Sequence, residues 1–126
     1  MLYTSYLGNL NKIPDDSIKI FIVQWKGKID LLKYNLLWKP ELAPLDLSLY
    51  KNGSLTKDKM FTNFKNQLEK SPAKEAVDEI IEYLKEGKDV YLICYEKELC
   101  ECHRRLVAMH ISEKAKIDWK EYKEEQ

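Results

Sequence analysis

The sequence predicts an α/β fold: a three-layer Rossmann-like sandwich with a mostly parallel central sheet and a ligand pocket at the strand carboxyl ends. Three observations predict it. Runs of β-preferring side chains, LYTSYL from Leu2, IKIFIVQW from Ile18 to Trp25 and VYLICY from Val90, are separated by segments of helical period. The second and third runs are apolar at nearly every position, as suits strands covered on both faces. No hairpin signal joins any two of them, so the connections read as crossovers and the sheet as parallel or mostly so.

Taken in order, the first strand is stopped by Gly8 and Asn9, and Pro14, Asp15 and Asp16 mark the turn before the second. Ile29 to Trp38 reads as a short helix. Pro40 and Pro44 then break the chain, and Leu42 to Leu55 has no clean period, so residues 38–55 are expected to form a long loop, either a lid or substrate wall or a packed surface crossing. From Thr56 onward Met60, Phe61, Phe64 and Leu68 recur on one helical face. The next helix has Ser71 as N-cap, Pro72 in first position, Val77, Ile80, Ile81 and Leu84 as its apolar stripe and Gly87 as its stop. CHRRLVAMHISEK, from Cys102, reads as a closing helix with Leu106, Val107, His110 and Ile111 inward, and Ile117 as the start of a last short edge strand. The lysine and acid alternation of KIDWKEYKEEQ sets a single domain at residues 1–117 and a solvated tail at 118–126.

A chain of 126 residues, 44% hydrophobic, with eight tyrosines and three tryptophans, has the length for one domain with a real core. No stretch approaches the roughly 18 apolar residues of a membrane span. The opening MLYTSYLGNL lacks a basic n-region and a cleavage site, so a cytoplasmic location is expected. With 21 basic and 21 acidic residues there is no global field to gather nucleic acid, and strong non-specific binding to it is not expected. Cys94, Cys100 and Cys102 are an odd set that suits a reducing compartment, so a structural disulfide is not expected either. Cofactor and oligomeric state are unreadable.

The chemistry concentrates in Tyr91 to Ile111, where a strand runs through a short turn into a helix N-terminus, a geometry that aims N–H groups at an anion. Glu96, at the strand end, is the candidate general acid or base, since a desolvated carboxyl there has its pKa raised toward working pH. Cys94 and Cys102 are placed near the reacting atom, and His103, Arg104 and Arg105 bind anionic groups. Trp38, beside the irregular loop, is a candidate stacking residue. Two arginines in a first helical turn oppose the dipole at a cost of about half a kcal/mol, which a bound anion would offset; the alternative is pairing with Glu96 or Glu101. A cysteine-phosphatase loop is disfavoured by spacing: six positions after Cys94 stands Cys100, and the same count from Cys100 and Cys102 reaches Leu106 and Ala108. A zinc site from Cys94, Cys100, Cys102 and His103 lacks paired CxxC spacing, so no metal is assigned. A Cys–His dyad and a plain packing role for Cys94 both stay open. His110 reads as a core or boundary histidine.

LICYEKELCECHRRLVA resembles the C-terminal signature of domain-of-unknown-function family 488, in which a strand ends in Leu-Cys-x-Glu and Cys-His-Arg opens the last helix. Cys94, Glu96, Cys102, His103 and Arg104 match that pattern, and LYTSYLGNL resembles the start of the shorter members. The resemblance covers most of residues 1–112 and implies a Rossmann-like fold with a polar pocket at the strand ends. It departs after the second strand, where many members carry an Asp and an Arg and this chain has Gln24 and Lys26. Together these readings point to an enzyme acting on a nucleotide, nucleobase or other small phosphorylated ligand. The alternatives are a non-catalytic nucleotide-binding module and a cysteine-based metal or redox sensor.

Overall fold

The computed structural model describes residues 1–95 and 103–122. Its strands are β1 (Leu2–Tyr6), β2 (Ile18–Phe21), β3 (Leu36–Trp38), β4 (Val90–Cys94) and β5 (Trp119–Glu121). Its helices are α1 (Leu47–Lys51), α2 (Lys57–Leu68), α3 (Ala73–Lys85) and α4 (Arg104–Ala115), with 3₁₀ segments at Leu7–Lys12 and Pro40–Leu42. The sheet has the order β3-β2-β4-β1-β5, and every pairing in it is parallel. The fold is therefore the predicted α/β class, with a five-stranded parallel sheet flanked by helices.

The sheet is buried for the reason its sequence suggests. All five residues of β4 are buried, and Leu2, Ile20, Phe21, Leu92 and Ile93 are fully so. Pairing of Leu2 with Val90 and Thr4 with Leu92 puts the even-numbered residues of β1 and β4 on one face. Helices α2, α3 and α4 pack on one another over that face, where Phe64, Leu68, Val77, Ile80, Val107 and Ile111 close the core. The opposite face carries Tyr3 stacked on Tyr91 at 4.6 Å, with Tyr122 edge-on to Tyr91 at 5.4 Å. Burial pushes the Tyr91 hydroxyl up to about 12. The 3₁₀ segment after β1 covers this side, and Asn9 Nδ2 donates to Ser5 Oγ.

Several local expectations are corrected. Ile29–Trp38 holds no helix: Asn35 turns the chain with φ 53°, and Leu36–Trp38 becomes an edge strand beside β2. Residues 38–55 are not a featureless loop, since they contain Pro40–Leu42 and α1. Lys39 and Glu79 meet at 2.9 Å, a bond that raises the lysine and lowers the carboxylate and ties this crossing to α3. Thr56 caps α2 as read, its side chain accepting from Lys59 N. Helix α3 begins one residue later than expected, with Pro72 as N-cap, while Ser71 donates to Glu75 instead. The fold also continues past residue 117: Trp119–Glu121 pairs with β1, and the Tyr122 hydroxyl donates to Lys12 O. The side chains of Trp119–Glu121 alternate in a period of two, and this stretch is the short edge strand expected after Ile117.

His110 lies midway along α4, mostly buried, with Nε2 3.5 Å from Glu69 Oε1. Burial lowers its pKa, and Glu69 opposes that shift. Between the folded value and the ordinary imidazole value the unfolded chain binds more protons, so stability falls as pH falls through that window. The urea midpoint should therefore drop between pH about 7.5 and about 5.5, and His110→Gln should flatten that slope.

Candidate functional site

Chains leaving β2 and β4 run in opposite directions, one to β3 at one edge and the other past β1 to β5. The carboxyl ends of β2 and β4 thus flank a topological switch point, the usual place for a ligand in an open parallel sheet. Two adjoining concavities open there. One, of about 710 Å³, is lined by residues that follow β1 and β2, among them Leu10, Lys26, Lys28, Asp30 and Lys33. The other is a slot of about 110 Å³ between Val23, Gln24, Trp25, Leu47, Lys51 and His103. Tyr95 lines both.

Tyr95 is held by three contacts. Its ring meets Phe21 edge-on at 5.2 Å, and its hydroxyl donates to Trp25 O at 2.7 Å. Burial raises its pKa. The third is close approach to Gly27, where φ is 62° and a Cβ would lie 3.1 Å from the Tyr95 hydroxyl. Glycine here serves both the left-handed turn and the clearance, and it bends the WKGK segment so that Lys26 and Lys28 border the larger cleft.

Beneath the slot stands a buried polar cluster. Arg104 is fully buried at the first turn of α4, and its Nε and Nη2 donate to the two carboxylate oxygens of Glu121 at 3.2 and 2.6 Å. Nη1 donates to Cys94 Sγ at 2.8 Å, and the Thr4 hydroxyl donates to Glu121. One side chain thereby joins α4 to β4 and, through Glu121, to β5 and β1. His103, also buried, donates from Nε2 to the Ile22 carbonyl just past β2, with its ring edge-on to Phe64 at 6.1 Å.

Arg104 contacts Cys94, and His103 precedes it at the start of α4, but Arg104 is turned inward. Among the described residues the acid it meets is Glu121. Cys94 is fully buried and disulfide-bonded, against the expectation of free thiols, and its sulfur partner is not among the described residues. In that state it has no thiol to ionise. Arg105 is exposed. Trp38 lines neither cavity, and its indole N–H donates to Val23 O at 2.7 Å, which ties the exits of β3 and β2 together. Glu96 and Cys102 lie outside the described residues, as do Cys100 and Glu101. No group of three or more His, Cys, Asp or Glu suited to a metal occurs among the described residues. Sequence reasoning missed Glu121, Tyr95, Trp25 and the lysines Lys28 and Lys33. The available signal was WKGK itself, a basic turn around a glycine directly after a buried strand.

A family model described as the active DUF488-N3 subclade, DUF488-N3a, matches residues 11–115. The chain belongs to that family. The DUF488-N3a match spans β2 through α4 and so includes the switch point, Cys94, His103 and Arg104. No curated protein and no solved structure matches the chain.

The buried ion pair gives a direct expectation. Glu121→Gln removes the carboxylate charge that the buried Arg104 meets and should cost about 3–5 kcal/mol, whereas Arg104→Met combined with Glu121→Leu should cost far less. Urea unfolding of the three variants measures the difference.

Proposed function

We propose that this DUF488-N3a protein binds a small phosphorylated ligand at the carboxyl edge of its sheet and acts on it as an enzyme. The observation that carries the reading is the larger cleft, in which Lys26, Lys28 and Lys33 converge with Asp30 the one acid among its lining residues. On a chain with no net charge, three cations on one wall are a local feature, and they suit the compact charge of a phosphate. The position at a switch point supports the same reading, and the family's description as active supports turnover. Arg104 and His103, both committed to protein partners, act in this reading as positioning residues. The exposed Arg105 is left as a candidate anion contact at the helix start, and Glu96 as the candidate general acid or base.

The test is a thermal-shift screen against inorganic pyrophosphate, sugar phosphates and nucleotides. A compound at about a hundredfold excess over its Kd should stabilise the fold by about 2.7 kcal/mol, and Lys26→Ala with Lys28→Ala should abolish the shift. No shift from any phosphate compound would overturn the proposal. With a binding compound in hand, Glu96→Gln should retain the shift while chromatographic turnover disappears; retained turnover would remove Glu96 from the mechanism, and no turnover by the unaltered protein would favour a binding module. The disulfide at Cys94 favours one other reading, a redox sensor, in which reductant changes the melt and the ligand response together.

A further inference from the structure

We infer that the ligand is a nucleoside phosphate, its base seated in the slot at the switch point and its phosphate on the lysines of the adjoining cleft. The inference rests on the phosphate reading above and adds the base. The slot's volume of 110 Å³ is that of about four water molecules, room for one flat ring and not for a sugar beside it. Its walls suit a ring. Trp25 is 77% exposed, an unusual cost for the largest apolar side chain unless its face is used, and it stands with Tyr95, itself 44% exposed, at the slot's mouth. Base stacking on such faces is tolerant of base identity.

The polar groups at the slot match a base edge. Gln24 lines it, and among the described residues its side-chain amide makes no hydrogen bond, so one acceptor and two donors remain for a ligand. A glutamine amide is the group that reads paired donor and acceptor atoms on a base in a bidentate way. Trp38, by contrast, has its N–H committed to Val23 O. Tyr95 links the two: it lines both the slot and the lysine cleft, so base and phosphate would sit in adjoining sites that a pentose can bridge.

The test compares ribose 5-phosphate with the four ribonucleoside 5′-monophosphates, by titration calorimetry and by quenching of tryptophan fluorescence. At least one monophosphate should bind about tenfold or more tightly than ribose 5-phosphate, and Trp25→Ala should erase that margin while leaving ribose 5-phosphate affinity unchanged. Gln24→Ala should narrow the spread among the four bases. Equal affinity for ribose 5-phosphate and all four monophosphates, or a margin that survives Trp25→Ala, would overturn the base assignment while the phosphate reading stands. Loss of binding to every compound would overturn both. Because Trp25 is exposed and Gln24 is half-buried in a turn, neither variant threatens the fold, and an unchanged melt without ligand verifies this.

Discussion

The buried guanidinium of Arg104 is the constraint around which the rest of the molecule is arranged. Removing a charge from water costs several kcal/mol, so the surroundings must supply a full set of partners or the helix cannot sit where it does. Among the described residues those partners come from three separate stretches of chain: Glu121 accepts two of the bonds, Cys94 a third, and Thr4 steadies the carboxylate. A fork of planar donors satisfies a carboxylate in one orientation only, so the pair sets both the rotation of α4 and the height of its first turn over the sheet. That height brings His103 against the Ile22 carbonyl and fixes the back wall of the slot.

The division of labour across the sheet follows from this. One face takes three helices and is sealed by apolar side chains, with the ion pair at its carboxyl end as a polar exception. The other is lined by tyrosines and closed by a short 3₁₀ turn. Where the two faces meet, at the exits of β2 and β4, the backbone must turn away in opposite directions. The residues at those exits are neither fully packed nor fully solvated, as the partial exposure of Gln24, Lys26 and Tyr95 shows.

How much of this was legible depended on range in sequence. Ile18–Phe21 and Val90–Cys94 declare themselves by apolar density, and α2 by a cap and a spaced stripe, because these signals are local. Leu36–Trp38 did not, since three residues are too few to show a period and the turn that creates the strand rests on Asn35 in a left-handed conformation. The inward side chains of β5, Trp119 and Glu121, sit among lysines and acids, and the alternation that marks an edge strand also resembles a solvated tail. The strand-to-helix run into Cys-His-Arg was legible as a candidate site. Its partners were not: Glu121 is 17 residues from Arg104, and nothing local distinguishes it from its acidic neighbours.

The strand order has a temporal consequence. The first strand made, β1, lies between β4 and β5, the last two, and Leu2 pairs with Val90 on one side and Trp119 on the other. During synthesis β1 has no partner until most of the chain has left the ribosome, and β2 in the meantime has only the three-residue β3 to pair with. Pairings of such sequence separation form slowly, because the loop must close before any contact repays it. Through that interval β1 waits unpaired, and β5, the last of the five strands, completes the sheet.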